Sequence, residues 1–212
     1  MRGFVLAKTK CSLDFNQLPH LSHYTAIFEL PVSIASVLQH YPNTYDRALG
    51  ALYFTLQIGK ESTSTIKLRE SYMRAAIAEY VSMEETIDVD AKKTDFYKIV
   101  NSKNPLLHIV KQLRNMQIHI LTSKLESTTE SVTYCGHEFE MQFWSVQAIT
   151  PNDFDKLRYK DRYMLVDKVK MIEWFNKNQL EWGIQEIILQ AILSYARELA
   201  FQLKASSEFG AI

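Results

Sequence analysis

Apolar residues recur at helical spacing along most of the chain and alternate at strand spacing in one longer stretch. Pro31 suits a first helical position. Val32, Ile34, Ala35, Val37 and Leu38 continue a short helix to about His40, and Pro42 and Asn43 break it. Thr44 can cap a second helix to about Ile58, with Gly59 as its stop. Ser62 or Ser64 can cap a third over about 64–87, carrying Ile66, Met73, Ile77, Tyr80, Met83 and Ile87 on one face. After a charged connection over 88–95, Asn104-Pro105 opens a fourth helix reaching Ser123 or Lys124.

The character changes over Val132–Ile149. Phe139-Glu140-Met141-Gln142-Phe143 alternates with period two, and Gly136 follows Val132–Tyr134 in a turn, so this stretch predicts an inserted β-hairpin. Pro151-Asn152-Asp153 is turn chemistry. Helices follow over about 166–177 and 180–204. The second aligns Ile184, Ile187, Ile188, Ala191, Ile192, Tyr195 and Leu199 on a broad stripe. Phe4–Ala7 and Tyr24–Leu30 read as two short strands. The expectation is a mainly α fold, a bundle of five or six helices with a hairpin. Residues 1–43 form an N-terminal extension packing on the bundle. Residues 44–212 form the helical domain, with the hairpin insertion at 131–150.

Composition narrows the function classes. The 212 residues are long enough for a core without staples, and Lys+Arg and Asp+Glu balance at 24 each. No global positive field draws nucleic acid, so such binding must rest on a local patch. With six glycines, neither a P-loop nor a dinucleotide fingerprint is present. Cys11 and Cys135 belong to no paired motif and read as reduced thiols. His20 and His23 form a loose pair, His40 and His137 have no partner at ligand spacing, and no metal site is expected. Phe4–Ala7 is an apolar run of four before Lys8, short of the roughly 7–15 of a secretory signal. No stretch approaches the roughly 20 apolar residues of a membrane span. A cytoplasmic protein is expected.

The fourth helix carries the candidate chemistry. At 100° per residue, Leu106, Ile109, Val110, Leu113, Met116 and Ile120 form an apolar face. His108, Gln112, Asn115 and His119 form a narrow polar stripe opposite, with Arg114 about a third of a turn away. One reading is the solvated face of an amphipathic helix. The other is a site: an imidazole for proton transfer, a guanidinium for phosphate and an amide for positioning.

Arg114-Asn115-x-x-x-His119, within a core-packing helix flanked by other helices, resembles the signature of the HEPN superfamily (higher eukaryotes and prokaryotes nucleotide-binding domains). The resemblance covers roughly 44–204 and implies an all-α bundle. It further implies a metal-independent RNA endonuclease without a cofactor, often a toxin with a partner antitoxin or a phage-defence component, with its site at a homodimer interface. His119 would then be the general base or acid, Arg114 would stabilise charge on phosphorus, and Asn115 would orient His119 or bind phosphate. His108 is a candidate second proton carrier, Glu79 and Glu84 are candidates for a supporting acid, and Arg69 and Arg74 for RNA-phosphate contacts. The polar stripe would face its symmetry mate.

Two alternatives stand beside this. One is a HEPN-like domain that binds a nucleotide or protein without catalysis. The other is an interaction protein dimerising through its long C-terminal helix, with Trp174, Phe175 and Trp182 at the interface.

Overall fold

The computed structural model describes residues 10–21, 29–60, 65–119, 125–134, 136–157 and 160–209. It is mainly α, with seven helices and one antiparallel hairpin among these residues. The helices are α1 (Val32–Leu38), α2 (Pro42–Gly59), α3 (Ile66–Ala91), α4 (Pro105–His119), α5 (Pro151–Asp155), α6 (Leu165–Trp182) and α7 (Ile184–Phe209). The strands are β1 (Leu125–Tyr134) and β2 (His137–Val146). No described helix is long and apolar enough to cross a membrane. The expected strand at Phe4–Ala7 lies outside the described residues, as does most of Tyr24–Leu30.

Long α3 lies along α2, and the two close on each other at one end through Asp90. Its carboxylate accepts from Asn43 Nδ2 (2.7 Å), Thr44 N (2.8 Å) and Thr44 Oγ1 (2.8 Å). A carboxylate from α3 thus satisfies the first turn of α2, whose opening N–H groups have no partner within their own helix. Pro42, expected to end the preceding helix, is the first residue of α2, where its missing N–H costs nothing. The N-cap of α3 is Thr65, which accepts from Leu68 N; Ser62 and Ser64 lie outside the described residues.

Two helices form the middle of the molecule. Ile184, Ile187, Ile188, Ala191, Ile192, Tyr195 and Leu199 of α7 are fully buried against the other elements of the same chain. The apolar stripe of the C-terminal helix is therefore spent inside the monomer, which removes it as the dimer surface of the interaction-protein reading. Phe175 of α6 is core as well, while Trp174 and Trp182 are half-buried at its edge. The other central helix is α4. Asn104 Oδ1 caps it by accepting from Leu106 N (3.0 Å), and Leu106, Ile109, Val110, Leu113 and Met116 point inward as the periodicity predicts. α1, assigned to the N-terminal extension, places Ile34 and Leu38 in the same core.

The hairpin starts at Leu125, seven residues before the expected Val132. Leu-Glu-Ser-Thr-Thr-Glu-Ser-Val-Thr-Tyr carries no apolar alternation in its first half, because Glu126 to Thr129 are exposed, so period-two hydrophobicity could not mark it. Gly136, at φ +80°, lies in the tight turn between the paired Tyr134 and His137. The root is anchored: Phe143 and Trp144 are buried, Leu125 N donates to Glu70 Oε1 (3.1 Å), and Val146 N donates to Gln179 Oε1 (2.9 Å).

Two boundaries in the C-terminal half also differ from expectation. Pro151–Asp155 is a short helix with a capping box between Thr150 and Asp153. α6 runs without a break to Trp182 and ends at Gly183, whose φ of +81° is one that glycine adopts without penalty.

Candidate functional site

The first half of the polar stripe of α4 does not face solvent. His108 and Gln112 are 1% and 3% exposed. Tyr163 covers them, and the turn before it is held in place from the N-terminal side, where Cys11 N donates to the Arg162 carbonyl (2.8 Å). Burial pushes the Cys11 thiol up from its ordinary value, so it stays protonated.

Tyr163 organises the buried half of the stripe. His108 Nε2 lies 2.9 Å from the Ser102 carbonyl, which can only accept, so Nε2 carries the proton. Nδ1 must then accept from Tyr163 Oη at 3.1 Å. Tyr163 Oη accepts in turn from Gln112 Nε2 (3.0 Å), and Gln112 Oε1 accepts from Asn115 Nδ2 (3.0 Å). One carbonyl therefore sets the direction of every hydrogen bond from Ser102 to Asn115. Burial pulls the His108 pKa down to about 4, and the charges of Lys111 and Arg162 add to this against the opposing Ser102 bond, so the ring is neutral at pH 7. Burial likewise raises the Tyr163 phenol. Both nitrogens of His108 are engaged, which makes it a structural histidine. His108 and Gln112 are also covered by the chain's own residues, so this part of the stripe cannot lie against a symmetry mate.

The stripe ends in a cleft of about 400 Å³ lined by α3, the connection after it, α4 and the Arg162–Tyr163 segment. Arg114 and Asn115, both half-buried, line it together with Lys98, Lys111, Arg162, Glu84, Glu85 and Asp95. Four cations thus face three carboxylates within one hollow. Glu84, 6% exposed, is the central acid: its carboxylate accepts from Lys111 Nζ and from Ile99 N, tying α3 to α4 and to the turn at Ile99–Asn101. Lys98 Nζ donates to the Glu84 carbonyl (2.5 Å) and to Asp88 Oδ2 (2.6 Å). Burial would raise Asp88, but the bonds from Lys98, Phe96 N and Asp95 N outweigh it and hold the carboxyl below its ordinary value.

The structure separates the other expected residues. Of the two candidate acids, Glu84 belongs to the cleft. Glu79 lies on the side of α3 facing α2, paired with Arg47 at 2.9 Å. Arg69 is buried under the hairpin root, its guanidinium 4.6 Å from the centre of the Trp144 ring and donating to the Ile58 carbonyl, so it is not placed for RNA. Arg74 is exposed and donates to Ser71 Oγ (3.0 Å). His119 is the last residue of α4, and its side chain lies outside the described residues, as does His23. Among the described residues no group of three His, Cys, Asp or Glu could hold a metal ion.

Sequence reasoning missed Lys111, Lys98, Arg162 and Tyr163. Lys111 was within reach, since it stands one helical turn before Arg114 and Asn115. The other three arrive from connections far away in the chain, and no local pattern marks them. No protein-family model, curated protein or solved structure matches the chain.

Proposed function

We propose that this chain is a metal-independent RNA endonuclease of the HEPN type that seats an RNA phosphate in the cleft beside α4, and that it serves as a toxin or phage-defence component. The observation that carries the reading is that Arg114 and Asn115, the first two residues of the motif, line one hollow with Lys98 and Lys111 on a chain with no net charge. The hollow sets four cations against three carboxylates, and with Lys98 and Lys111 held by Asp88 and Glu84 the phosphate contact falls to Arg114 and Asn115, a local site of the kind a globally neutral protein needs. The ribose 2′-oxygen would attack the adjacent phosphorus as its proton passes to a base. The bond to the 5′-oxygen would break as that oxygen takes a proton. His119 is assigned the proton transfers, and Arg114 the charge on the pentacoordinate phosphate. Glu84 acts one step removed, holding Lys111 in place. The test is single-turnover cleavage of a mixed RNA pool in EDTA. The parent protein is expected to cut. Arg114→Ala and His119→Ala should each lose at least about 10²-fold.

The second reading is a phosphate-binding domain without catalysis. It is favoured by His108, the one imidazole described in the cleft wall, being neutral and engaged at both nitrogens. RNA bound but never cut, with binding weakened by Arg114→Ala and untouched by His119→Ala, would decide for it.

A further inference from the structure

The outer face of α2 is not that of an ordinary surface helix. Between Arg47 and Gly59 its exposed residues are Leu49, Tyr53 and Leu56, at 41%, 56% and 39% exposure. The polar side chains of the same stretch, Thr55 and Gln57, are turned inward and buried. A solvated helix face carries charged and polar residues at these positions.

The spacing is specific. Leu49, Tyr53 and Leu56 are separated by four and three residues. The exposed Asp46 and Lys60 extend the same alternation by one step at each end. At 100° per residue the five positions fall within an arc of about 80°. A 3-4 alternation of this kind is the seam of a paired helix.

We infer that this seam pairs with the α2 seam of a second copy of the chain, antiparallel, with the two-fold axis passing close to Tyr53. The charges choose both partner and direction. Asp46 and Lys60 each stand seven residues from Tyr53, on opposite sides. Antiparallel packing brings Asp46 of each copy to Lys60 of the other and sets Leu49 against Leu56. Parallel packing would oppose Asp46 to Asp46 and Lys60 to Lys60. The surface is self-complementary, as an isologous interface requires. The inference is independent of what the cleft binds, and it places the dimer on α2, away from the covered stripe of α4.

Sedimentation velocity on the full chain over a concentration series tests this. The expected result is a monomer–dimer equilibrium, with Tyr53→Glu weakening it at least tenfold. Lys60→Asp and Asp46→Lys should each weaken association, and the two together should restore it, a rescue that damage to the fold could not produce. Under mild oxidation Tyr53→Cys should cross-link into a covalent dimer, whereas the parent protein and Lys177→Cys on α6 should not. A monomer at every concentration up to about 100 μM would overturn the inference. So would a dimer indifferent to Tyr53→Glu and to the charge swap.

Discussion

The polar residues of both halves of α4 reach the wall of one cleft, and they differ in how they are satisfied. In the first half His108 and Gln112 are closed over by Tyr163 and Ser102, with each ring nitrogen and the amide Nε2 accounted for. In the second half Arg114 and Asn115 stand at the wall of an open cleft beside Lys111 and Glu84. A polar stripe on a helix therefore does not by itself fix its role. What decides is whether another part of the chain arrives to satisfy it, and here the arriving part is Arg162–Tyr163, some fifty residues away.

The largest effect that would break or confirm this division concerns Arg114. If the second half is the working half, Arg114→Lys should lose nearly as much cleavage as Arg114→Ala, because a point-charge ammonium cannot reproduce the two-pronged grip of a guanidinium on phosphate. Arg114→Ala combined with His119→Ala should be little worse than either alone, since residues acting as a unit are not additive. Thermal stability should stay within a degree or two, because Arg114 is half-buried at the cleft wall. A variant that keeps cleavage but loses several degrees of Tm would assign Arg114 to the structural half.

Next in size is Glu84→Ala. It removes the acceptor of both Lys111 Nζ and the Ile99 N–H at a site 6% exposed. Breaking a buried pair from one side costs about 3–5 kcal/mol; Lys111, a quarter exposed, can recover part of this in water, leaving about 3–4. The expected reading is a Tm lower by roughly 10 °C in a chain of this size. A loss under 1 kcal/mol would show that Glu84 does not tie α3 to α4.

The buried half makes its own prediction through pH. The His108 pKa is about 4 in the folded protein against an ordinary 6.5, so between those values the unfolded chain binds more protons. The stability contributed by the neutral ring is whole above pH 6.5, declines as pH falls toward 4, and levels off below it. The full difference is about 3 kcal/mol. Denaturant midpoints for the parent and His108→Gln should run parallel above pH 7. The parent should fall more steeply between 6.5 and 4. Equal slopes would mean that the ring is hydrated in a way the burial contradicts.

The legible and illegible parts of the molecule divide by the reach of the signal. The apolar periodicity of α3, α4 and α7 marked three helices, and Asn104-Pro105 marked the start of α4, because caps and helical spacing are local chemistry. The first seven residues of strand β1 escaped, because Glu126 to Thr129 project into solvent and leave no alternation to read. The motif residues of α4 were found, but their surroundings were not. An ideal helix wheel places His108 and Asn115 on one stripe equally well, and it contains no information on which of them Tyr163 will cover. The break expected between 177 and 180 shows the same limit: Asn178 and Gln179 resemble a helix end, yet Gln179 is buried, accepting from Val146 N of the hairpin root, and the helix runs on to Gly183.

The smallest predicted effect separates the two acids of α3. Glu79 and Glu84 are five residues apart on one helix and both face a cation, yet the environments differ. Arg47 is 47% exposed and Glu79 23%, so their attraction is screened by water and offset by the entropy of holding two long side chains together. Glu79→Gln should therefore cost well under about 1 kcal/mol, and less still at 1 M salt, where the screening length shrinks to about 3 Å. Because Glu79 lies between α2 and α3 and not in the cleft, RNA cleavage or binding should be unchanged. Gln keeps an acceptor for the Arg47 Nη1 donor now 3.1 Å from Oε1, so packing along Gly50 is preserved and only the charge is tested. A Glu79→Gln variant that impaired RNA cleavage or binding would show that Glu79 contributes to the cleft chemistry, and the assignment of Glu84 over Glu79 as the supporting acid would fail.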